Sequence, residues 1–168
     1  GEAHGVVLTK PEVVALILDL AGYTADKDLA AQVLCEPACG RGAFILPAAE
    51  RLLVAARRTG RDLEAVGALE GALRAFDIDP KQVATSRRAT AELLVRCGLT
   101  RRTAQRLAAA WIKQADFLLA PEVATADYVV GNPPYVRIEQ LPPPLQAQYR
   151  QRYRSLYDRA DLYVAFIE

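Results

Sequence analysis

Gln32-Val33-Leu34-Cys35-Glu36-Pro37-Ala38-Cys39-Gly40-Arg41-Gly42-Ala43-Phe44 is the stretch on which the reading of the fold turns. It reads as a short strand over residues 32–36, a turn of small residues, and a helix from residue 43 to about 58 in which Pro47 is expected to kink or delay the start. Gly40 and Gly42 allow a tight reversal and a close approach of ligand to backbone, and the helix beyond offers N–H groups that lack partners of their own. The third glycine of the dinucleotide fingerprint is absent, so a nucleotide with no pyrophosphate fits this turn better than NAD.

The same alternation continues on the C-terminal side. Residues 73–78 form a second strand candidate, and residues 81–96 a helix that Asp79 caps, with Pro80 in its first position and Gly98 closing it. A third strand, 111–115, ends at Asp116, and a fourth, 127–130, ends at Gly131-Asn132-Pro133-Pro134-Tyr135. Toward the N-terminus, residues 9–22 read as a helix: Thr9 and Glu12 have capping-box spacing, Pro11 lies in the first turn and Gly22 ends it. Its apolar residues leave little polar face, so it is expected to be well buried, and residues 23–28 follow as a polar linker. Pro142-Pro143-Pro144 is a stiff turn into a helix over 145–157, and 161–168 carry an apolar helical pattern. Strands alternating with helices imply right-handed crossovers and a doubly wound, mainly parallel α/β sheet. Ligands bind such sheets beyond the carboxyl ends of the strands, where every unusual polar residue of this chain falls.

At 168 residues and 52% apolar, the chain has room for one domain with one ordinary core. No apolar run approaches the roughly 20 residues of a membrane span and no secretory signal is evident, so a cytoplasmic location is expected. Cys35, Cys39 and Cys97 match neither a disulfide framework nor a zinc site and read as reduced thiols packed as small hydrophobes. The net charge of +1 does not mark a nucleic-acid binder. Arg137, Arg150, Arg152, Arg154 and Arg159 are interleaved with Tyr149, Tyr153 and Tyr157, against only Glu139 and Asp158. Taken alone that stretch favours a solvated helix face over a phosphate-contacting surface.

Four strand ends carry the candidate chemistry. Beside the glycine turn, Asp77 stands where doubly wound nucleotide binders hydrogen-bond ribose hydroxyls, although an extra segment around residues 60–71 lengthens the usual spacing. Asp116-Phe117 pairs a carboxylate able to bond an exocyclic amine with a ring able to pack on its purine. In Asn132-Pro133-Pro134-Tyr135, the Asn side-chain carbonyl and the Pro133 backbone carbonyl are able to accept both N–H bonds of an aminopurine. That draws the nitrogen toward tetrahedral geometry, while Tyr135 offers a stacking face for an extruded base.

As an ordered set these motifs resemble the γ-class amino-methyltransferases, particularly the TaqI-like N6-adenine DNA methyltransferases of type II restriction-modification systems. The residues that carry the likeness are Thr9-Lys10-Pro11-Glu12-Val13-Val14, Glu36-Pro37-Ala38-Cys39-Gly40-Arg41-Gly42-Ala43-Phe44, Phe76-Asp77-Ile78-Asp79-Pro80, Ala115-Asp116-Phe117, Gly131-Asn132-Pro133-Pro134-Tyr135 and Asp161-Leu162-Tyr163-Val164-Ala165-Phe166-Ile167-Glu168. The resemblance implies a Rossmann-like fold that binds S-adenosylmethionine. Thr9 and the turn from Glu36 through Pro37, Ala38, Cys39, Gly40 and Gly42 would hold its methionine portion, Asp77 its ribose, and Asp116 with Phe117 its adenine, with Ile78 packed on that ring. Asn132 and Pro133 would take the target N6 amino group of a flipped adenine in double-stranded DNA, and Tyr135 would stack on it. The family's chemistry implies no metal.

Lys10 departs from the Pro that commonly follows this Thr. Four strand candidates are present where the family closes seven and adds a DNA-reading domain, so the catalytic domain over 1–168 is expected to be partial, truncated after its fourth strand. Its exposed core would then need a C-terminal domain or self-association to cover it. Little DNA methylation is expected of this piece alone. Related Asn-Pro-Pro-Tyr loops also serve protein-glutamine N5 and RNA adenine methylation, and a non-catalytic cofactor-binding module keeps the same fold. N4-cytosine methylation is disfavoured, since those enzymes usually have Ser in place of Asn132.

Overall fold

The computed structural model describes residues 9–120, 125–157 and 159–168. Four parallel strands, β1 (Leu34–Glu36), β2 (Leu73–Asp77), β3 (Ile112–Gln114) and β4 (Tyr128–Val129), lie in the order β3-β2-β1-β4. In register, Leu34 faces Leu73 on one side and Tyr128 on the other, while Ala75 faces Ile112. The chain therefore winds outward from β1 to β3 and then returns to lay β4 on the opposite flank. The switch point falls between β1 and β4, where an open α/β sheet leaves a crevice at its carboxyl edge.

All three β1 residues are buried, as expected of a central parallel strand covered on both faces. Helix α2 (Ile45–Arg58) turns Ile45, Ala48, Ala49, Leu52, Leu53, Ala55 and Ala56 inward, a stripe at helical spacing, and starts two residues later than the sequence suggests, with Pro47 in its first turn. Asp79 caps α3 (Pro80–Arg96) by accepting the Lys81 N–H at 2.8 Å, as its position implies. Gly98, at φ +93°, then lets the Leu99 N–H return to the Leu94 carbonyl.

Four expectations change. Thr9 does not cap α1 (Pro11–Leu20): Lys10 occupies the cap without a side-chain bond, and the Thr9 hydroxyl is used elsewhere. Nor is α1 well buried, since Val14 and Leu18 face the core while Val13, Leu16 and Leu20 are exposed. The 23–28 linker is not uniformly polar in role, because Tyr23 is fully buried with its ring edge-on to Tyr128 at 5.1 Å. A helix absent from the sequence reading, α4 (Arg101–Trp111), is capped by Thr100 and runs straight into β3, so Trp111 ends a helix rather than opening a strand. Its indole is fully buried and donates to the Leu69 carbonyl at 2.9 Å, which uses the extra 60–71 segment as part of the core.

Beyond β4 the chain builds a smaller apolar cluster. Helix α5 (Pro143–Arg152), shorter than the pattern suggests, and a 3-10 turn over Leu162–Phe166 bring Leu118, Ile138, Tyr149, Leu156, Leu162 and Ala165 together. Pro143 and Pro144 stand at the start of α5, where a missing N–H costs nothing. An antiparallel bridge from Arg137 to Asp161 ties the two ends of this segment. Asp158 lies outside the described residues.

Candidate active site

The carboxyl ends of β1, β2 and β3 and the loop after β4 open on one cavity of about 320 Å3. Thr9, Glu36, Pro37, Ala38, Cys39, Gly40, Asp77, Ile78, Asp116, Phe117 and Asn132 all line it. The glycine turn is held by its own backbone: the Cys39 N–H donates to the Phe76 carbonyl and the Gly42 N–H to the Cys39 carbonyl, each at 2.8 Å. Gly42 does not face the cavity. It has φ +97°, and a Cβ there would lie 3.0 Å from Ser86 Oγ and 3.1 Å from Ile45 Cγ2, so it supports the turn from behind.

Asp77 closes the turn from β2. Its Oδ2 accepts the Gly40 N–H at 2.8 Å and its Oδ1 the Asp79 N–H at 2.9 Å, which leaves each oxygen with further lone-pair capacity toward the cavity. Ile78, next along, is exposed at 68% and lines the cavity, a cost that a flat apolar ligand surface would relieve.

Glu36 is 1% exposed. Burial pushes its pKa well up; the Phe44 and Ile45 N–H groups pull against that, and the neighbouring Asp77 charge adds to it. Its Oε2 is buried with no hydrogen-bond partner in the protein, at the wall of the cavity. A buried acceptor of this kind fits a ligand that brings a donor. Burial likewise pushes the thiols of Cys39 and Cys35 up, to about 12 and about 11, so both pack as neutral side chains.

At the far end, Asp116 accepts the Leu118 N–H on Oδ1 at 3.0 Å and the Tyr149 hydroxyl on Oδ2 at 2.6 Å. Phe117 sits between Phe76, 5.6 Å away, and Phe166, stacked at 5.9 Å with planes 7° apart. Tyr149, Leu162 and Phe166 complete the wall, and none was singled out as a site residue from sequence. Phe166 lies inside a motif that the sequence displays; nothing local to Tyr149 announces its role, because Asp116 is 33 residues away. The tyrosines between the arginines thus turn inward: Tyr149 is buried, and Tyr153 is half-buried with its hydroxyl on the Leu118 carbonyl at 2.8 Å. Tyr157 alone of the three is exposed, at 86%.

Asn132 joins this cavity to a second hollow of about 190 Å3, lined also by Pro133, Pro37, Ala38, Phe166 and Ile167. Its amide nitrogen donates to the Thr9 hydroxyl at 3.3 Å, which turns the side-chain carbonyl the other way. The β4 loop is packed closely on the β1 turn: a Cβ on Gly131 would lie 3.6 Å from Pro37 and 3.8 Å from Glu36. Tyr135 borders neither hollow; it is 56% exposed, its ring 6.0 Å from that of Tyr163. Among the described residues no His, Cys, Asp and Glu cluster suits a metal ion, and no helix is long and apolar enough to cross a membrane.

A crevice at a switch point has two carboxylates spaced along it and an Asn-Pro-Pro-Tyr loop beside it, and the Eco57I restriction-modification methylase family matches residues 68–168. The chain belongs to that family. It is 48% identical over 170 residues to the type II methyltransferase M.PaeR7I of Pseudomonas aeruginosa, covering 99% of this chain and 29% of that protein. Against the type II methyltransferase M.XhoI of Xanthomonas vasicola the identity is 44% over 168 residues, 99% of this chain and 31% of the other. M.BstVI of Geobacillus stearothermophilus is 42% identical over 98% of this chain and 30% of its own length. The chain therefore spans about three tenths of the length of the curated relatives it matches. Among solved structures, SMU.472 in complex with SAH overlaps it with a TM-score of 0.45 and 19% identity, over 75% of this chain and 35% of that one, too low a likeness to bear on function.

Proposed function

We propose that this chain is the S-adenosylmethionine-binding and catalytic part of a γ-class, TaqI-like DNA methyltransferase that acts on the N6 amino group of adenine. The observation that carries the reading is the place of Asn132, at the junction between a cavity of cofactor size and a second hollow at the mouth. The cavity suits the cofactor on its own chemistry. Glu36, whose Oε2 is buried without a partner, would with Thr9 and the glycine turn hold the methionine portion; Asp77 would take ribose hydroxyls, and Asp116, Phe117, Phe166 and Ile78 would hold the purine. When bound, S-adenosylmethionine supplies an electrophilic sulfonium methyl.

The protein's own part is to present the nucleophile. The Asn132 Oδ1 and the Pro133 carbonyl accept the two N–H bonds of the exocyclic amine, which withdraws its lone pair from the ring and aims it at the cavity. The nitrogen gains the methyl as the carbon–sulfur bond breaks, the electron pair leaving with the sulfur as S-adenosylhomocysteine, and it then loses one of those N–H protons to water, since neither carbonyl is basic enough to keep it. Pro133 and Pro134 hold the acceptors with few alternative conformations. Tyr135, exposed beside Tyr163 and outside both hollows, would give the extruded base a face on which to stack.

The elements that read a DNA sequence lie, on this proposal, in parts of the protein outside this chain. The same parts would cover the exposed Val13, Leu16 and Leu20 of α1 and Val129 at the β4 edge; a second copy is the other way to cover them. The test gives the full-length protein methyl-tritiated S-adenosylmethionine with duplex DNA, with RNA and with protein in separate reactions, followed by digestion to nucleosides or amino acids. Label in N6-methyl-2′-deoxyadenosine, lost in Asn132→Ala while cofactor binding survives, is expected. Label in a cytosine derivative, in RNA only, or in protein glutamine would overturn the substrate, and binding with no transfer to any of these would leave a cofactor-binding module.

A further inference from the structure

Three side chains of the α5 segment fasten the loop that follows β3. The Tyr149 hydroxyl donates to Asp116 Oδ2 at 2.6 Å, the Tyr153 hydroxyl to the Leu118 carbonyl at 2.8 Å, and the Arg152 guanidinium to the Ala120 carbonyl at 2.9 Å. Tyr149 is 3% exposed and lines the same cavity as Asp116. A carboxylate on a loop turns easily about its last torsion, for which the barrier is low and the wells are broad. Here each oxygen carries one donor, Leu118 N–H on Oδ1 and Tyr149 O–H on Oδ2, so the carboxylate plane is fixed and its remaining lone pairs have one direction. Burial, and the Asp116 carboxylate beside it, raise the pKa of Tyr149, which keeps the hydroxyl a donor.

We propose that Tyr149 is the positioning residue that makes the cofactor pocket selective for a 6-amino purine over a 6-oxo purine. The inference rests on the reading that Asp116 takes the cofactor's adenine. A 6-amino purine offers its N–H to the fixed carboxylate. A 6-oxo purine sets an acceptor against it, and its N1–H is reached only if the carboxylate swings, which the Tyr149 bond prevents. The other two bonds hold the loop backbone and act on both purines alike.

The experiment is calorimetric titration of the full-length protein with S-adenosylhomocysteine and with S-inosylhomocysteine, in the wild type, Tyr149→Phe, Tyr153→Phe and Asp116→Ala, with unfolding midpoints in parallel. Tyr149→Phe keeps the ring and is expected to weaken S-adenosylhomocysteine about tenfold, the worth of one hydrogen bond to a charged group, while sparing S-inosylhomocysteine. The preference should therefore fall about tenfold. Tyr153→Phe should leave the preference as it is. A preference unchanged in Tyr149→Phe but lost in Asp116→Ala overturns the role of Tyr149 alone, and so does a parallel loss of both affinities. A preference unchanged in Asp116→Ala overturns the underlying assignment of Asp116 as well.

Discussion

The two walls of the cavity are built in different ways. One is made by β1, β2 and the turn between β1 and α2, where Glu36, Gly40 and Asp77 are set by strand register and main-chain hydrogen bonds and backed by the large core. The other is made by the β3 loop, α5 and the 162–166 turn, where Asp116, Phe117 and Phe166 are placed by side-chain bonds and ring contacts over a small cluster of their own. A group fixed by the sheet moves only if the fold moves. A group fixed by one hydroxyl is adjustable without loss of the fold, so the first wall is suited to holding a ligand and the second to selecting it.

The sharpest way to break this contrast is to hollow out each core in turn. Leu52→Ala, in the large core, is expected to lower global stability by about 3 kcal/mol in chemical denaturation. Leu156→Ala, in the small cluster, should leave the main transition in place and instead remove amide-exchange protection from residues 138–166. A single shared loss in both variants would show one cooperative unit and erase the distinction.

The next effect is on binding. Asp77→Ala removes the acceptor for the Gly40 and Asp79 N–H groups together with the proposed ribose contact, and calorimetry should register a loss of S-adenosylmethionine affinity of about a hundredfold. Binding that survives within about threefold would move the ribose site away from β2.

Glu36 gives a pH signature. Its folded pKa lies above its unfolded value, so the folded state holds the proton more tightly. The stability that this group contributes is present in full below the unfolded carboxylate range and is lost as pH rises from there through the raised folded value. Denaturation across that window should show stability falling with pH, and Glu36→Gln should flatten the slope; an unchanged slope would mean that the Oε2 atom is solvated. The smallest effect belongs to the second wall: Arg152→Ala gives up an exposed bond to the Ala120 carbonyl and a contact over the Tyr153 ring, and should cost about 1 kcal/mol, read as a small shift of the unfolding midpoint.

What the sequence displayed follows the same division. The first wall was readable because its determinants are local: a strand, two glycines and a helix start within a dozen residues, and Asp79 capping the helix that begins beside it. Helix α4 was equally local, with Thr100 at its cap and Leu107 and Trp111 at helical spacing, but the apolar run at its end resembles a strand as much as a helix. The second wall was legible only as a set of motifs. Tyr149 acquires its role from a contact with Asp116, 33 residues away, which no spacing in the sequence encodes. Thr9 shows the converse. Its cap spacing was sound chemistry, yet its hydroxyl pairs across the molecule with Asn132, because a tertiary partner outcompeted the local backbone N–H.

The order of strands carries a consequence in time. β1 lies between β2 and β4, yet β4 reaches it only after the chain has wound out through β3 and back. Asp127, at its start, pairs with Val33 across 94 residues: the Val33 N–H donates to the Asp127 carboxylate, and the Asp127 and Tyr128 N–H groups return to the Val33 carbonyl. Closing so long a loop demands entropy before any contact repays it, which makes this pairing a late event as the chain folds. Asn132 lies on the loop that follows that strand. A nascent chain therefore sets Asp77 against the glycine turn before it brings Asn132 to the cavity, so on the proposed reading the ribose site forms ahead of the group that addresses the substrate.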